Sequence, residues 1–202
     1  VEQIIASHSR VTGAGELADN TVSAMRLMPG AGGRLRPAPA IPEAEFVRLG
    51  QDYAAMMHER YPETPQITDK SIQTYLTLGL MKLAIPNARF IVVRRDPRDT
   101  LLSIYKNVFP EGTHLYGYDQ VDLARHYTTF VRMVDFWRER VPGWFHEIQY
   151  EELVAHPEAQ SRALIAACGL EWEDACLNFH QNTRKVETLS VFQVRQPISK
   201  GS

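Results

Sequence analysis

Cysteine is scarce in this chain. Only Cys168 and Cys176 occur, in LIAACGL and DACLNF, and neither stands in a metal-ligand spacing. Both sit in apolar helical patterns, where free thiols behave as small core hydrophobes, so a reducing, cytoplasmic setting is expected rather than a disulfide framework. Also missing is any apolar run near the roughly 20 residues that a membrane span requires, and nothing in the first residues reads as a signal peptide. Neither sign of charge dominates: 22 Lys and Arg face 24 Asp and Glu, a formal net charge of -2. A chain without a strong overall field does not collect nucleic acid or anionic membrane, so any anion site must be local. No internal repeat is present, and Gly and Pro crowd into one segment, Pro29 to Pro42 (PGAGGRLRPAPAIP), which reads as a loop.

What is present suffices for a real core. With 44% hydrophobic residues over 202 positions, a single domain spanning 1–202 is expected. VEQIIASH already shows Val1, Ile4 and Ile5 at helical spacing with no capping residue before them, so the sequence is read as a fragment that begins inside a helix. Glu43 to Tyr61 carries Phe46, Leu49, Tyr53, Met56 and Met57 on one helical face, and Ile72 to Ile85 carries Tyr75, Leu76, Leu80 and Leu83. These stripes are read as packing. Arg89 to Val93 is a short apolar run suited to a parallel strand covered on both faces. Asp119 to Arg140 predicts a long amphipathic helix with Val121, Ala124, Phe130, Val134 and Trp137 inward, Phe145 to Tyr150 another strand, and Pro157 to Cys168 a helix ended by Gly169. Strands separated by helical segments predict an α/β fold with a parallel sheet and helical crossovers.

In such sheets, ligands collect beyond the carboxyl ends of the strands. Three strand ends here carry polar groups: Thr68-Asp69-Lys70, Arg94-Arg95, and Tyr150-Glu151. If the strands are parallel, Lys70, Arg95 and Tyr150 share one rim. In FIVVRRDPRDTLLSIY, Asp96 suits a helix N-cap, Pro97 the first helical position and Asp99 the third. Ser103 follows Arg95 by eight positions, so a guanidinium fork and a hydroxyl could hold one phosphate between them. Taken locally, RRDPRD also reads as a capped helix start with solvated charges, Lys70 as the partner of Asp69 in a surface pair, and Tyr150 as a packing residue.

The order of VEQIIASHSRVTGAGEL, ITDK, LGLMKLAIPNARFIVVRRDPRDTLLSIYKNVF, QYEELVAHPE with CGLEW, and SVFQVRQPI resembles the sulfotransferases that use 3′-phosphoadenosine 5′-phosphosulfate (PAPS). Within that family it is most similar to bacterial enzymes joined to tetratricopeptide repeats, and more distantly to tyrosylprotein sulfotransferases. The resemblance implies a P-loop-NTPase-like parallel sheet flanked by helices. It also implies that Arg95 and Ser103 bind the 3′-phosphate of PAPS, that Tyr150 contacts the nucleotide, and that Phe192 and Gln193 close over the adenine side. Glu16 matches the glutamate that accepts the acceptor's proton, and Lys70 and Ser190 match groups that stabilise the transition state. No metal is implied. The product would be 3′,5′-ADP and the acceptor a hydroxyl or phenol on a protein tyrosine, a carbohydrate or a small molecule.

Three departures accompany the resemblance. The Pro-Arg-Ser-Gly-Thr-Thr-type loop that wraps the 5′-phosphosulfate in the family is not among these residues. The first strand and that loop are therefore expected to be missing, and the fragment alone to be inactive. Ser71-Ile72-Gln73-Thr74 replaces the usual Met-Pro and Asn after Asp-Lys, and Asn107 stands where the tyrosylprotein enzymes have an arginine. A nucleotide kinase on the same scaffold and a binding module that has lost turnover are the alternatives. The kinase would need a metal-carboxylate arrangement, which the sequence does not display.

Overall fold

The computed structural model describes residues 1–17, 19–109 and 112–181. Its strands are short and pair only in parallel. β1 (Val11–Gly13) pairs with β2 (Gln66–Thr68), and β3 (Phe90–Arg94) with β4 (Phe145–Gln149). Parallel neighbours require long connections, and helices supply them. α2 (Asp19–Met25) and α3 (Glu43–Arg60) lie between β1 and β2, α4 (Thr74–Ala84) between β2 and β3, and α5 (Pro97–Tyr105) with α6 (Gln120–Arg140) between β3 and β4. α1 (Glu2–Ala6) precedes β1, while α7 (Tyr150–Ala155) and α8 (Pro157–Ala167) follow β4. The predicted α/β class with parallel strands flanked by helices is what the structure contains.

Two cores sandwich the strands. On one side Ile4 and Ile5 of α1, Val11 of β1, Ile148 of β4, Leu153 of α7 and Leu164 and Ile165 of α8 form a buried cluster, with Ile91 packed against it. On the other side Ala24, Leu49, Met81 and Ala84 join α2, α3 and α4, with Phe90 packed against them. Phe90 and Ile91 thus serve opposite cores, as the alternation of side chains along a strand requires. α1 reaches far along the chain to do its part. Just beyond it, the buried His8 bonds through Nε2 to the Glu171 carbonyl at 2.9 Å, and the Ser9 amide and hydroxyl both donate to the Glu173 carboxylate.

Several expectations hold. Helix α3 buries Phe46, Leu49 and Met57, α8 is closed at Gly169 (φ 72°), and Pro29 to Pro42 contains only 3-10 turns and one isolated bridge. Cys168 and Cys176 are free thiols, with burial pushing Cys168 up to about 11, although Cys176 lies in a 3-10 turn rather than an α-helix.

Others need correction. α4 starts at Thr74 and buries Tyr75, Leu78 and Met81, while Ile72 and Leu83 are half exposed. Its inward face is set by contacts of small residues as well as by large hydrophobes. A Cβ on Gly79 would come within 2.4 Å of Trp137 Cη2, and one on Gly50 within 2.0 Å of the Ala84 carbonyl oxygen. On α6 the inward residues are Leu123, Phe130, Val134 and Trp137, whereas Val121 and Ala124 face solvent. Val121 lies in the first turn, where Asp119 caps the helix by accepting the amides of Val121 and Asp122 at 2.8 and 2.9 Å. β3 is not covered on both faces along its whole length: Val92 is buried but Val93 is 41% exposed.

Candidate functional site

The β1–β2 ladder continues past both strands. The Ala14 amide donates to the Thr68 carbonyl at 2.9 Å and the Lys70 amide to the Gly15 carbonyl at 2.8 Å. Glu2 steadies the same turn by accepting the Gly15 amide at 3.0 Å. This register brings two residues 54 positions apart into contact: Lys70 Nζ donates to Glu16 Oε1 at 2.6 Å. Both side chains remain about two-fifths exposed, so the pair is open to a ligand. Lys70 therefore pairs with Glu16 and not with its neighbour Asp69. Asp69 turns inward, where Tyr53 of α3 donates to Oδ2 at 2.7 Å and the backbone amides of Leu17 and Ser71 also donate to the carboxylate. Burial raises the pKa of Asp69, outweighing the hydrogen bonds that favour its charge.

At the ends of β3 and β4 a second pair forms. Arg94 is in register with Gln149, so the next residues, Arg95 and Tyr150, are brought side by side. The Arg95 guanidinium lies over the Tyr150 ring, 5.0 Å from its centroid, and Nη2 is 3.6 Å from Asp99 Oδ2. Arg95 Nε is buried without a hydrogen-bond partner. The adjoining turn is fixed on both sides. Asp96 caps α5 by accepting the Arg98 amide at 2.8 Å, and its own amide donates to Glu151 Oε1 at 2.8 Å. The Arg98 guanidinium and amide hold the Asp96 carboxyl down at about 2, and the Asp96 amide lowers that of Glu151. The sequence-predicted cap, with Pro97 at the first helical position, is present as expected. Ser103 lies on α5, half-buried, its carbonyl accepting Asn107 Nδ2 at 2.6 Å.

The structure therefore unites Glu16 with Lys70 and Arg95 with Tyr150, each pair at the carboxyl end of its own parallel strands. Ser190, Phe192 and Gln193 lie outside the described residues. Two participants went unread in the sequence. The sequence places Tyr53 in a packing stripe, and nothing local marks Glu151 as the acceptor for Asp96. The carboxylate at Asp69, directly between a strand end and a lysine, is the signal that could have led to Tyr53. Among the described residues no group of three His, Cys, Asp or Glu could hold a metal ion, and no helix is long and apolar enough to cross a membrane.

Comparison with known proteins agrees on one family. A family model described as "Sulfotransferase family" matches residues 1–174. An uncharacterized protein of Aquifex aeolicus (strain VF5) is 33% identical over 211 residues, covering 100% of this chain and 28% of that protein. Protein-tyrosine sulfotransferase A of Caenorhabditis elegans is 26% identical over 130 residues, covering 62% of this chain and 33% of that protein. The chain thus spans about a third or less of the length of these relatives. Among solved structures, the sulfotransferase domain from the curacin biosynthetic pathway superposes with a TM-score of 0.61 at 15% identity, covering 98% of this chain and 77% of that one.

Proposed function

The chain belongs to the sulfotransferase family, and on that premise we propose that it transfers the sulfuryl group of PAPS to a hydroxyl or phenol, releasing 3′,5′-ADP. The observation that carries this reading is the Glu16–Lys70 contact at 2.6 Å, a carboxylate and an ammonium drawn from remote positions and left open at a strand end. Sulfuryl transfer is governed by alignment and by stabilisation of spread negative charge, so a base beside a cation is a suitable pair. Glu16 engages Lys70 through one oxygen, and its remaining acceptor capacity receives the proton of the acceptor hydroxyl. Lys70 offsets the charge that develops on the bridging oxygen as the old S–O bond breaks and the new one forms.

The nucleotide end fits Arg95. A buried, unpartnered Nε on a planar cation, backed by the Tyr150 ring, suits a phosphate, and Ser103 adds a hydroxyl donor. Ser190 is assigned to transition-state stabilisation, and Phe192 and Gln193 to the adenine side. A P-loop-like cradle for the 5′-phosphosulfate is the part these 202 residues do not supply, so by themselves they are proposed not to turn over. The tyrosine-sulfotransferase relative favours a protein tyrosine as acceptor, and the free thiols favour a cytoplasmic setting. Calorimetry of the full-length protein with 3′,5′-ADP and with ATP, followed by a transfer assay from radiolabelled PAPS to a tyrosine peptide, a carbohydrate and a simple phenol, tests the reading. Preference for ATP with Mg²⁺ would replace it with a kinase, and tight 3′,5′-ADP binding without transfer to any acceptor would replace it with a binding module.

A further inference from the structure

Asp69 stands between β2 and Lys70, at the junction of three segments. Its carboxylate accepts the amides of Leu17 and Ser71, the residues immediately after Glu16 and Lys70, and Tyr53 holds the carboxylate from α3 at 2.7 Å. One side chain therefore fastens the turn that carries the base and the turn that carries the cation, while a separate helix fastens that side chain. Ser71 is further tied to α2, its hydroxyl 3.1 Å from that of Thr21.

The Glu16–Lys70 pair needs such support. Two long, half-exposed side chains in water gain little from their mutual attraction and do not fix their own geometry. Backbone amides bonded to a half-buried carboxylate do fix geometry, because breaking them would leave a desolvated charge uncompensated. Burial raises the pKa of the Tyr53 hydroxyl, so it stays protonated and remains a donor to the Asp69 carboxylate.

Resting on the reading of Glu16 and Lys70 given above, we propose that Asp69, held by Tyr53, is a positioning residue for sulfuryl transfer that sets the aim of the Glu16–Lys70 pair through the Leu17 and Ser71 amides. Tyr53→Phe deletes only the hydroxyl, and Asp69→Asn keeps the shape while replacing an acceptor oxygen with an NH₂ that cannot accept. In full-length protein, kcat is expected to fall about 10-fold in Tyr53→Phe and about 100-fold in Asp69→Asn. Affinity for 3′,5′-ADP and KM for PAPS should stay within about twofold of wild type, since Arg95 lies at the other pair of strands. Amide hydrogen exchange at Leu17 and Ser71 should quicken in both variants, a readout that requires no turnover.

Wild-type kcat in folded Asp69→Asn overturns the proposal, and so does a parallel loss of kcat and nucleotide affinity, which marks a general scaffold role. If Asp69→Asn does not fold, Tyr53→Phe decides by the same criteria. If the wild-type protein transfers no sulfuryl group, the functional reading fails on its own account. The brace is then judged by exchange alone, and unchanged exchange at Leu17 and Ser71 in both variants overturns it.

Discussion

The Arg95 guanidinium lies over the Tyr150 ring, its carbon 5.0 Å from the ring centroid at the joint ends of β3 and β4. The ring lies against a cation whose Nε is buried without a partner and whose Nη2 is 3.6 Å from Asp99 Oδ2. Arg95→Ala should weaken 3′,5′-ADP binding at least tenfold, on the order of a lost charge-assisted hydrogen bond, and Ser103→Ala should weaken it less. Titration calorimetry on full-length variants checks both. Unchanged affinity in folded Arg95→Ala would remove the phosphate site from this place.

Glu16→Gln separates the base from the scaffold. Gln retains the length and can still accept Lys70 Nζ through its carbonyl, yet it cannot take up a proton. Nucleotide affinity should be retained while kcat falls about 100-fold or more. Wild-type turnover in this variant would place the proton acceptor elsewhere.

Helix spacing offers a stability prediction independent of function. A methyl at Gly50 would meet the Ala84 backbone carbonyl at 2.0 Å, where nothing can rotate away, whereas one at Gly79 would meet the Trp137 ring at 2.4 Å. That ring is pinned by its Nε1 donating to the Tyr75 carbonyl at 3.0 Å. Each Gly→Ala change should cost about 1–3 kcal/mol by overpacking, Gly50 the more, as read by denaturant midpoints. A neutral Gly50→Ala would mean that α3 and α4 are free to separate.

His126 should make the fold sensitive to mild acid. Its ring stacks on Tyr116 with centroids 3.6 Å apart, and burial first, then the nearby His114, lower its pKa below 6.5. A group depressed in the folded state contributes stability that is present above the unfolded pKa and lost as pH falls through the folded one. Tm should therefore drop as pH falls from about 7 toward and below the depressed value, ahead of the carboxylates, whose losses come at lower pH. His126→Gln should flatten that segment of the Tm profile, and an unchanged slope would assign the effect to other groups.

Legibility from sequence followed the range of the interaction. The start of α5 was readable because Asp96, Pro97 and Arg98 settle it among themselves. β1 is not legible in the sequence because three residues, Val11 to Gly13, carry no periodicity and become a strand only by pairing with residues 55 positions later. The faces of α4 and α6 are obscured for one reason: outward Leu83 and Val121 are as apolar as the inward residues, and Gly79 makes a close contact without any side chain. The Glu16–Lys70 pair was accessible only through resemblance to a family. No local rule connects a glutamate after a glycine turn with a lysine 54 residues on, because strand pairing makes the connection.

The anchoring of α1 and the turn after it to Ile148, Leu153, Leu164, Ile165 and Glu171 has a consequence for how the protein comes into being. Synthesis is vectorial, and Ile4 and Ile5 leave the ribosome some 145 to 160 residues before the partners that bury them. Throughout that interval the turn bearing Glu16 lies next to an unsatisfied apolar segment, and the contacts that close it are among the most non-local in the chain, the kind that form slowly. The Arg95–Tyr150 half is complete once β4 pairs with β3, whereas the helix that leads into the Glu16 turn gains its buried partners only when α7 and α8 have followed.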